Sequence, residues 1–245
     1  MSLLVAERVS RRFGGLLALD SFDLEVGLGE IHGLIGPNGA GKSTFVALAS
    51  GEISPTSGRI VFGNRDVTRA DAARRARLGV ARTFQNLRLF RRLTVLENVL
   101  LAAHTATARG DIGIDRDPRA VAQASLKRAG VPSEDWSRVA GDLPYMPQRL
   151  VEIARAIATH PRLILLDEPA AGANEDERAA LTNVIKDLNA SGMSILLIEH
   201  DVEFVFRLAH RISVLDQGAL IAVGPPGDIR RDPAVIDAYL GAELA

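Results

Sequence analysis

The chain contains no cysteine. That excludes disulfides, thiol catalysis and a zinc ribbon, and it is compatible with the cytosol. It also has no charge imbalance. The formal net charge is −1 over 245 residues, so no global attraction to nucleic acid is expected. No apolar run is long enough to cross a bilayer. The opening MSLLVAERVSRRF has no basic segment followed by an apolar one, so no signal peptide is expected. Work at a membrane would need another chain as the anchor. There is no internal repeat and no low-complexity tract.

What is present suits one large α/β domain, or a domain with a subdomain. Short apolar runs alternate with helical patterns, which predicts a mostly parallel sheet. Leu3–Val9 and Phe22–Val26 read instead as an antiparallel edge. Glu30–Ile35 reads as a strand before a helix starting near Lys42, and Arg59–Phe62 as another strand. From Leu93 to His160 the pattern turns helical, with helices over Val95–Thr107, Arg119–Ala129 and Gln148–Thr159 and a loop over Ala108–Pro118. We read residues 93–160 as a helical subdomain inserted between strands. Strands resume at Leu163–Leu166 and Ser194–Glu199, around a helix over Asp176–Ala190. Val214–Asp216 and Leu220–Val223 form a hairpin about Gln217-Gly218, and a short helix follows Asp232. Between Arg65 and Arg92 nine arginines face only Asp66 and Asp71. They read as a solvated helix face, or as a basic surface for lipid headgroups or an acidic partner.

Gly36-Pro37-Asn38-Gly39-Ala40-Gly41-Lys42-Ser43-Thr44 fits G-x-x-x-x-G-K-[ST]. Glycines let main-chain N–H groups approach phosphate oxygens and tolerate positive φ. The helix that follows aims its positive end at the anion. Lys42 would neutralise the outer phosphates, and the Ser43 hydroxyl can ligate Mg²⁺. Downstream, the apolar Leu163–Leu166 ends in Asp167-Glu168. Asp167 would hold Mg²⁺ through water, and Glu168 would polarise the attacking water.

These features, with Glu152-Ile-Ala-Arg155, resemble an ATP-binding subunit of the ABC transporter family. The nearest form is that of branched-chain amino acid importers. Arg11–Ala18, Ala81-Arg-Thr-Phe-Gln85, Arg88-Leu-Phe90, Asp167–Gly172, Leu197–Asp201 and Val235–Gly241 carry the resemblance over nearly the whole chain. It implies a P-loop NTPase core of RecA-like type over residues 1–245, with an N-terminal antiparallel β subdomain and the helical insertion. It implies ATP and Mg²⁺ as cofactors. Phe13 would stack on adenine, Gln85 would sense Mg²⁺ and the attacking water, and His200 would contact the terminal phosphate. It further implies an ATPase dimer on a membrane permease at the cytoplasmic face, without nucleic acid. The transported solute is not encoded here; branched-chain amino acids, urea and short amides all occur among relatives of this type.

One stretch departs from the family. Before Gln148 the resemblance implies a signature loop reading Leu-Ser-Gly-Gly-Gln or a Tyr-Gly variant, which closes over the partner's ATP. Here Pro144 lacks the serine hydroxyl, Tyr145 and Met146 replace glycines, and Pro147 lacks an N–H. Met146 is expected to intrude where backbone and phosphate would meet. Ala173-Asn-Glu175 is a second departure. The expectation is an intact half-site of the chain's own paired with a weak one. A heterodimer with a paralogous ATPase subunit is favoured over a homodimer, and a mainly regulatory subunit is the alternative.

Overall fold

The computed structural model describes residues 1–107 and 117–243, with side chains described as far as Tyr239. The loop expected over Ala108–Pro118 lies, except for Asp117 and Pro118, outside the described residues. Two long strands open the chain, β1 (Ser2–Phe13) and β2 (Leu16–Gly27). They extend well past the apolar runs, because alternation with one solvated face continues to the Gly14-Gly15 turn. Strands β4 (Ser57–Phe62) and β5 (Arg65–Asp66) complete an antiparallel sheet ordered β2-β1-β4-β5.

The second sheet contains β3 (Ile31–Ile35), β6 (Val80–Arg82), β7 (Leu163–Asp167), β8 (Ser194–Ile198), β9 (Arg211–Asp216) and β10 (Ala219–Gly224). Its order is β10-β9-β3-β8-β7-β6, parallel throughout except for the β9–β10 hairpin. Strands β3, β7 and β8 are buried along their length. Their side chains divide with period two. Leu34, Leu163, Leu165, Leu196 and Ile198 join the core under the antiparallel sheet, while Ile31, Ile164, Leu166, Ile195 and Leu197 join the core on the other face. Both faces are therefore covered, as a parallel sheet requires. Helix α1 (Lys42–Ser50) lies in the first core, where Phe45 meets Phe22 edge-on at 4.9 Å.

Helix α2 (Ala72–Leu78) carries part of the arginine run and corrects its reading as a wholly solvated face. Arg65, Arg69, Arg74 and Arg77 are exposed, but Arg75 is buried. Its guanidinium donates to the carbonyls of Leu48, Ala49, Val67 and Ala70. Two of these end α1, so a cation faces the negative end of a helix dipole. Burial lowers the Arg75 pKa to about 10.

Helices α3 (Val95–Thr107), α4 (Pro118–Arg128) and α5 (Tyr145–Ile157) follow β6 and pack together. Helix α5 starts three residues before the expected Gln148. Pro144 takes the N-cap position with extended ψ, and Pro147 fits the first turn because N–H groups there have no intrahelical acceptor. Beyond β7 come α6 (Glu175–Ala190), with Asn174 and Glu177 forming a reciprocal capping box, and α7 (Val202–Leu208). Helices α8 (Pro226–Ile229) and α9 (Pro233–Glu243) end the described chain.

Candidate functional site

Four strands deliver the sequence-predicted residues other than Phe13 to one end of the parallel sheet. The glycine-rich loop follows β3, Gln85 follows β6, Asp167 ends β7, and His200 lies two residues past β8. In open α/β sheets the carboxyl ends of the strands form the ligand crevice.

The loop is shaped by close packing. Gly36 has φ 152°, and a Cβ there would stand 1.9 Å from the Leu215 carbonyl oxygen. Gly41, the N-cap of α1, has φ 111°, and a Cβ would stand 2.6 Å from the Ala18 oxygen. No other residue type fits these two positions without moving main chain. Asn38 and Gly39 are exposed at the crest, and Pro37 accepts from the Ala40 N–H at 3.2 Å. Ser43 and Thr44 lie in the first turn of α1, whose N–H groups have no partner within the helix. Lys42 is buried, and its ammonium donates to the Gly36 and Pro37 carbonyls at 2.6 and 2.8 Å. Burial lowers its pKa, while Glu168 and Asp167 oppose that shift. Lys42 thus shares a field with both carboxylates.

Asp167 is buried at the end of β7. Burial raises its pKa, opposed by Arg82, whose Nη2 donates to Oδ2 at 2.9 Å. Glu168 has left-handed backbone, φ 48°, which costs a non-glycine residue about 1–3 kcal/mol. Two contacts hold it there. Its N–H donates to the Ile198 carbonyl at 2.9 Å, and its carboxylate accepts from the Gln85 side chain at 2.9 Å. With the amide nitrogen engaged by Glu168, the glutamine amide oxygen would be the group offered to a metal.

His200 is exposed, with Nδ1 3.7 Å from Glu199. Glu199 is fully buried; its Oε1 accepts from the Ala170 N–H at 2.7 Å, and its Oε2 has no hydrogen-bond partner among the described residues. Burial raises the Glu199 pKa. Phe13 ends β1 with its ring 44% exposed and the Arg11 guanidinium 4.5 Å above it. It pairs with Leu16 across the turn, and Ala18, two residues on, touches the glycine loop.

A divalent cation fits this donor set. Ser43, Gln85 and Asp167 offer hard oxygen atoms with a single carboxylate, as suits Mg²⁺ that retains waters and phosphate oxygens. The described residues hold no cluster of three or more acidic, histidine or cysteine side chains that would make an all-protein cage.

The structure alters the expectation for Met146. Its side chain is 5% exposed and packs into the core beneath α5, so it does not intrude on the outer surface. Pro144 and Tyr145 face outward instead. What the stretch lacks is the serine hydroxyl and the Pro147 N–H, while the main-chain N–H groups of Tyr145 and Met146 remain at the head of the helix.

Sequence reasoning gave no role to Arg82, Thr83, Arg149 or Glu199. Arg149 and Glu152 are buried and paired at 2.7 Å. Arg149 also donates to the carbonyls of Phe84 and Gln85 and to the Tyr145 hydroxyl, tying α5 to the segment that carries Gln85. Charged residues inside an apolar helical pattern were the available signal.

Comparison with known proteins agrees with this geometry. Residues 19–171 match the family model described as ABC transporter, and residues 219–245 match branched-chain amino acid ATP-binding cassette transporter. The high-affinity branched-chain amino acid transport ATP-binding protein LivG of Salmonella typhimurium is 43% identical over 250 residues, covering 98% of each chain. The crystal structure of the ADP conformation of MJ1267, an ATP-binding cassette of an ABC transporter, superposes with a TM-score of 0.88 at 31% identity, covering 98% of this chain and 99% of that one. The dimeric structure of MJ0796, a bacterial ABC transporter cassette, gives 0.81 at 25% identity, covering 91% and 99%. The phosphate loop, the carboxylate pair beside it and the match over the full length lead to one conclusion: the chain belongs to the ABC transporter family, as one of its ATP-binding, ATP-hydrolysing proteins.

Proposed function

We propose that this subunit energises an importer of branched-chain amino acids, working as a dimer against a membrane permease at the cytoplasmic face. The observation that carries the site reading is the meeting of Lys42, Gln85, Asp167 and Glu168 at neighbouring strand ends. The solute reading is supported by the similarity to LivG. The described residues include no helix long and apolar enough to cross a membrane, in keeping with docking onto a separate permease.

In this reading Gly36 to Thr44 cradle the phosphates and Phe13 stacks on the adenine. Ser43, Gln85 and Asp167, the last through water, would hold Mg²⁺. When bound, the metal would neutralise charge on the outer phosphates. Glu168 accepts the proton of the attacking water, Gln85 holds that carboxylate in place, and His200 donates to the terminal phosphate. Lys42 leaves the loop carbonyls for the phosphate oxygens.

A groove of about 540 Å³ lined by Arg82, Phe84, Phe90, Leu101, Glu152 and Arg155 is where the permease would dock. It joins the Gln85 segment to the helices, so docking and hydrolysis share a wall.

The second ATP of the dimer would meet Pro144 and Tyr145. Two helix N–H groups remain to face its phosphate, but the hydroxyl is missing. This supports a heterodimer with one brisk and one slow site. Burial of Met146 removes the obstruction on which a purely regulatory role depended.

The test is reconstitution. The chain, a paralogous ATPase subunit and the co-purifying permease are placed in proteoliposomes with the cognate solute-binding protein. Leucine-stimulated ATP hydrolysis and uptake are expected, faster with the paralogue than with this chain alone. Stimulation by urea or amides but not by leucine would overturn the solute assignment. Equal rates with and without the paralogue would overturn the heterodimer.

A further inference from the structure

Arg82 ends β6 beside the nucleotide site and is neither a phosphate contact nor a metal ligand in the reading above, on which this inference rests. Its side chain is only 13% exposed. Nη2 donates to Asp167 Oδ2 at 2.9 Å, and Nη1 donates to Glu52 Oε1 at 2.7 Å. The Phe84 ring lies 4.9 Å from the guanidinium carbon. Glu52 is not a distant partner. It follows the C-cap of α1, and its N–H donates to the Ala47 carbonyl of that helix at 2.9 Å.

The geometry has a consequence for the metal site. Helix α1 carries Ser43 in its first turn and leads into Glu52 at its other end. Arg82 therefore braces Asp167 against the same helix that supplies the hydroxyl ligand. A planar fork held by a carboxylate at each side has little freedom to swing. The Asp167 N–H is also fixed, donating to the Thr83 hydroxyl at 3.3 Å. With Oδ2 engaged by Arg82, Oδ1 would be left for a water on the metal.

We propose that Arg82 is a positioning residue for the divalent-cation site, fixing Asp167 relative to the helix that bears Ser43. Removing a residue that served only to neutralise buried charge would cost stability and leave metal affinity unchanged or tighter, because a cation beside the carboxylate has gone. One that orients a ligand moves metal affinity, typically by about 10- to 100-fold.

The experiment uses Mn²⁺ as the probe, read by electron paramagnetic resonance on the full chain with a non-hydrolysable ATP analogue. Arg82→Met is expected to raise the Mn²⁺ Kd by about 10-fold or more, while the analogue's affinity in EDTA stays within about twofold. Arg82→Lys keeps a cation but cannot span both carboxylates, and is expected to recover part of the loss. Glu52→Gln, which leaves the Asp167 contact in place, is expected to raise the Kd less. An unchanged or lowered Mn²⁺ Kd in Arg82→Met, or an equal loss of analogue binding in EDTA, would overturn the inference. Should Arg82→Met fail to fold, Glu52→Gln decides: a raised Kd supports the bracing role and an unchanged one overturns it. Failure of the unsubstituted chain to bind Mn²⁺ with the analogue would instead overturn the nucleotide-site reading beneath it.

Discussion

Arg149 donates to the main-chain carbonyl of Gln85 at 2.9 Å, and the Gln85 side chain donates to Glu168 at 2.9 Å. A buried guanidinium on α5 thereby fixes the segment that holds Glu168, the carboxylate proposed to activate water. The same Arg149 reaches the Tyr145 hydroxyl at 2.8 Å, so the surface expected to face a partner's nucleotide connects through one side chain to this chain's own site.

Removing Arg149 leaves Glu152 buried without its cation. Breaking a buried pair on one side costs about 3–5 kcal/mol. Arg149→Met should lower the urea midpoint accordingly, and the double variant Arg149→Met/Glu152→Leu should recover much of it. Equilibrium denaturation checks both.

In the proposed mechanism Glu168 takes a proton and is not needed for binding. Glu168→Gln should retain Mg·ATP affinity and lose hydrolysis by about 10²–10⁴-fold, the usual range for a general base. Steady-state ATPase rates and nucleotide titration on one preparation separate the two effects.

The signature stretch makes a prediction that depends on side-chain direction. Met146 points into the core, so Met146→Gly should destabilise the chain through a cavity, costing about 2–5 kcal/mol if it behaves like other truncations of a large buried residue. Pro144→Ser restores the missing hydroxyl on the exposed side. It should raise homodimer ATPase by up to about 10²-fold, the value of one well-aimed donor. A larger gain in rate from Met146→Gly than from Pro144→Ser would contradict the placement of these side chains.

Glu30 supplies a pH dependence. Burial alone would raise its pKa, but His32, the Gly27 N–H and Arg211 outweigh it and hold the carboxyl at about 2, below its usual 4.5. A depressed folded-state pKa contributes stability above the unfolded value and loses it as pH falls toward the folded one. The stability difference between the parent and Glu30→Gln should therefore shrink as pH falls from about 4.5 toward 2. Urea titrations across that range check the sign.

Legibility in the sequence followed the physics of each signal. The phosphate loop was readable because Gly36 and Gly41 meet main-chain constraints that tolerate no other residue. Strands β7 and β8 were readable because burial on both faces gives unbroken apolar runs. Helix α2 was obscured by its arginines, since nothing local distinguishes Arg75, buried against carbonyls, from Arg74 in solvent. Met146 was misplaced for a related reason. Aligning it with a family glycine says where its Cα lies, but side-chain direction depends on where the helix begins, and α5 begins at Tyr145. Contacts such as Arg82–Asp167 span 85 residues and arise only when β6 pairs with β7.

The central claim is that triphosphate with Mg²⁺ sits on the loop bearing Lys42. Calorimetric titration of ATP, with and without Mg²⁺, into the chain and into Lys42→Ala tests it most directly. Saturable, Mg²⁺-enhanced binding that is lost in Lys42→Ala is the predicted result. Absence of binding to the parent, or the same affinity in Lys42→Ala, would contradict it.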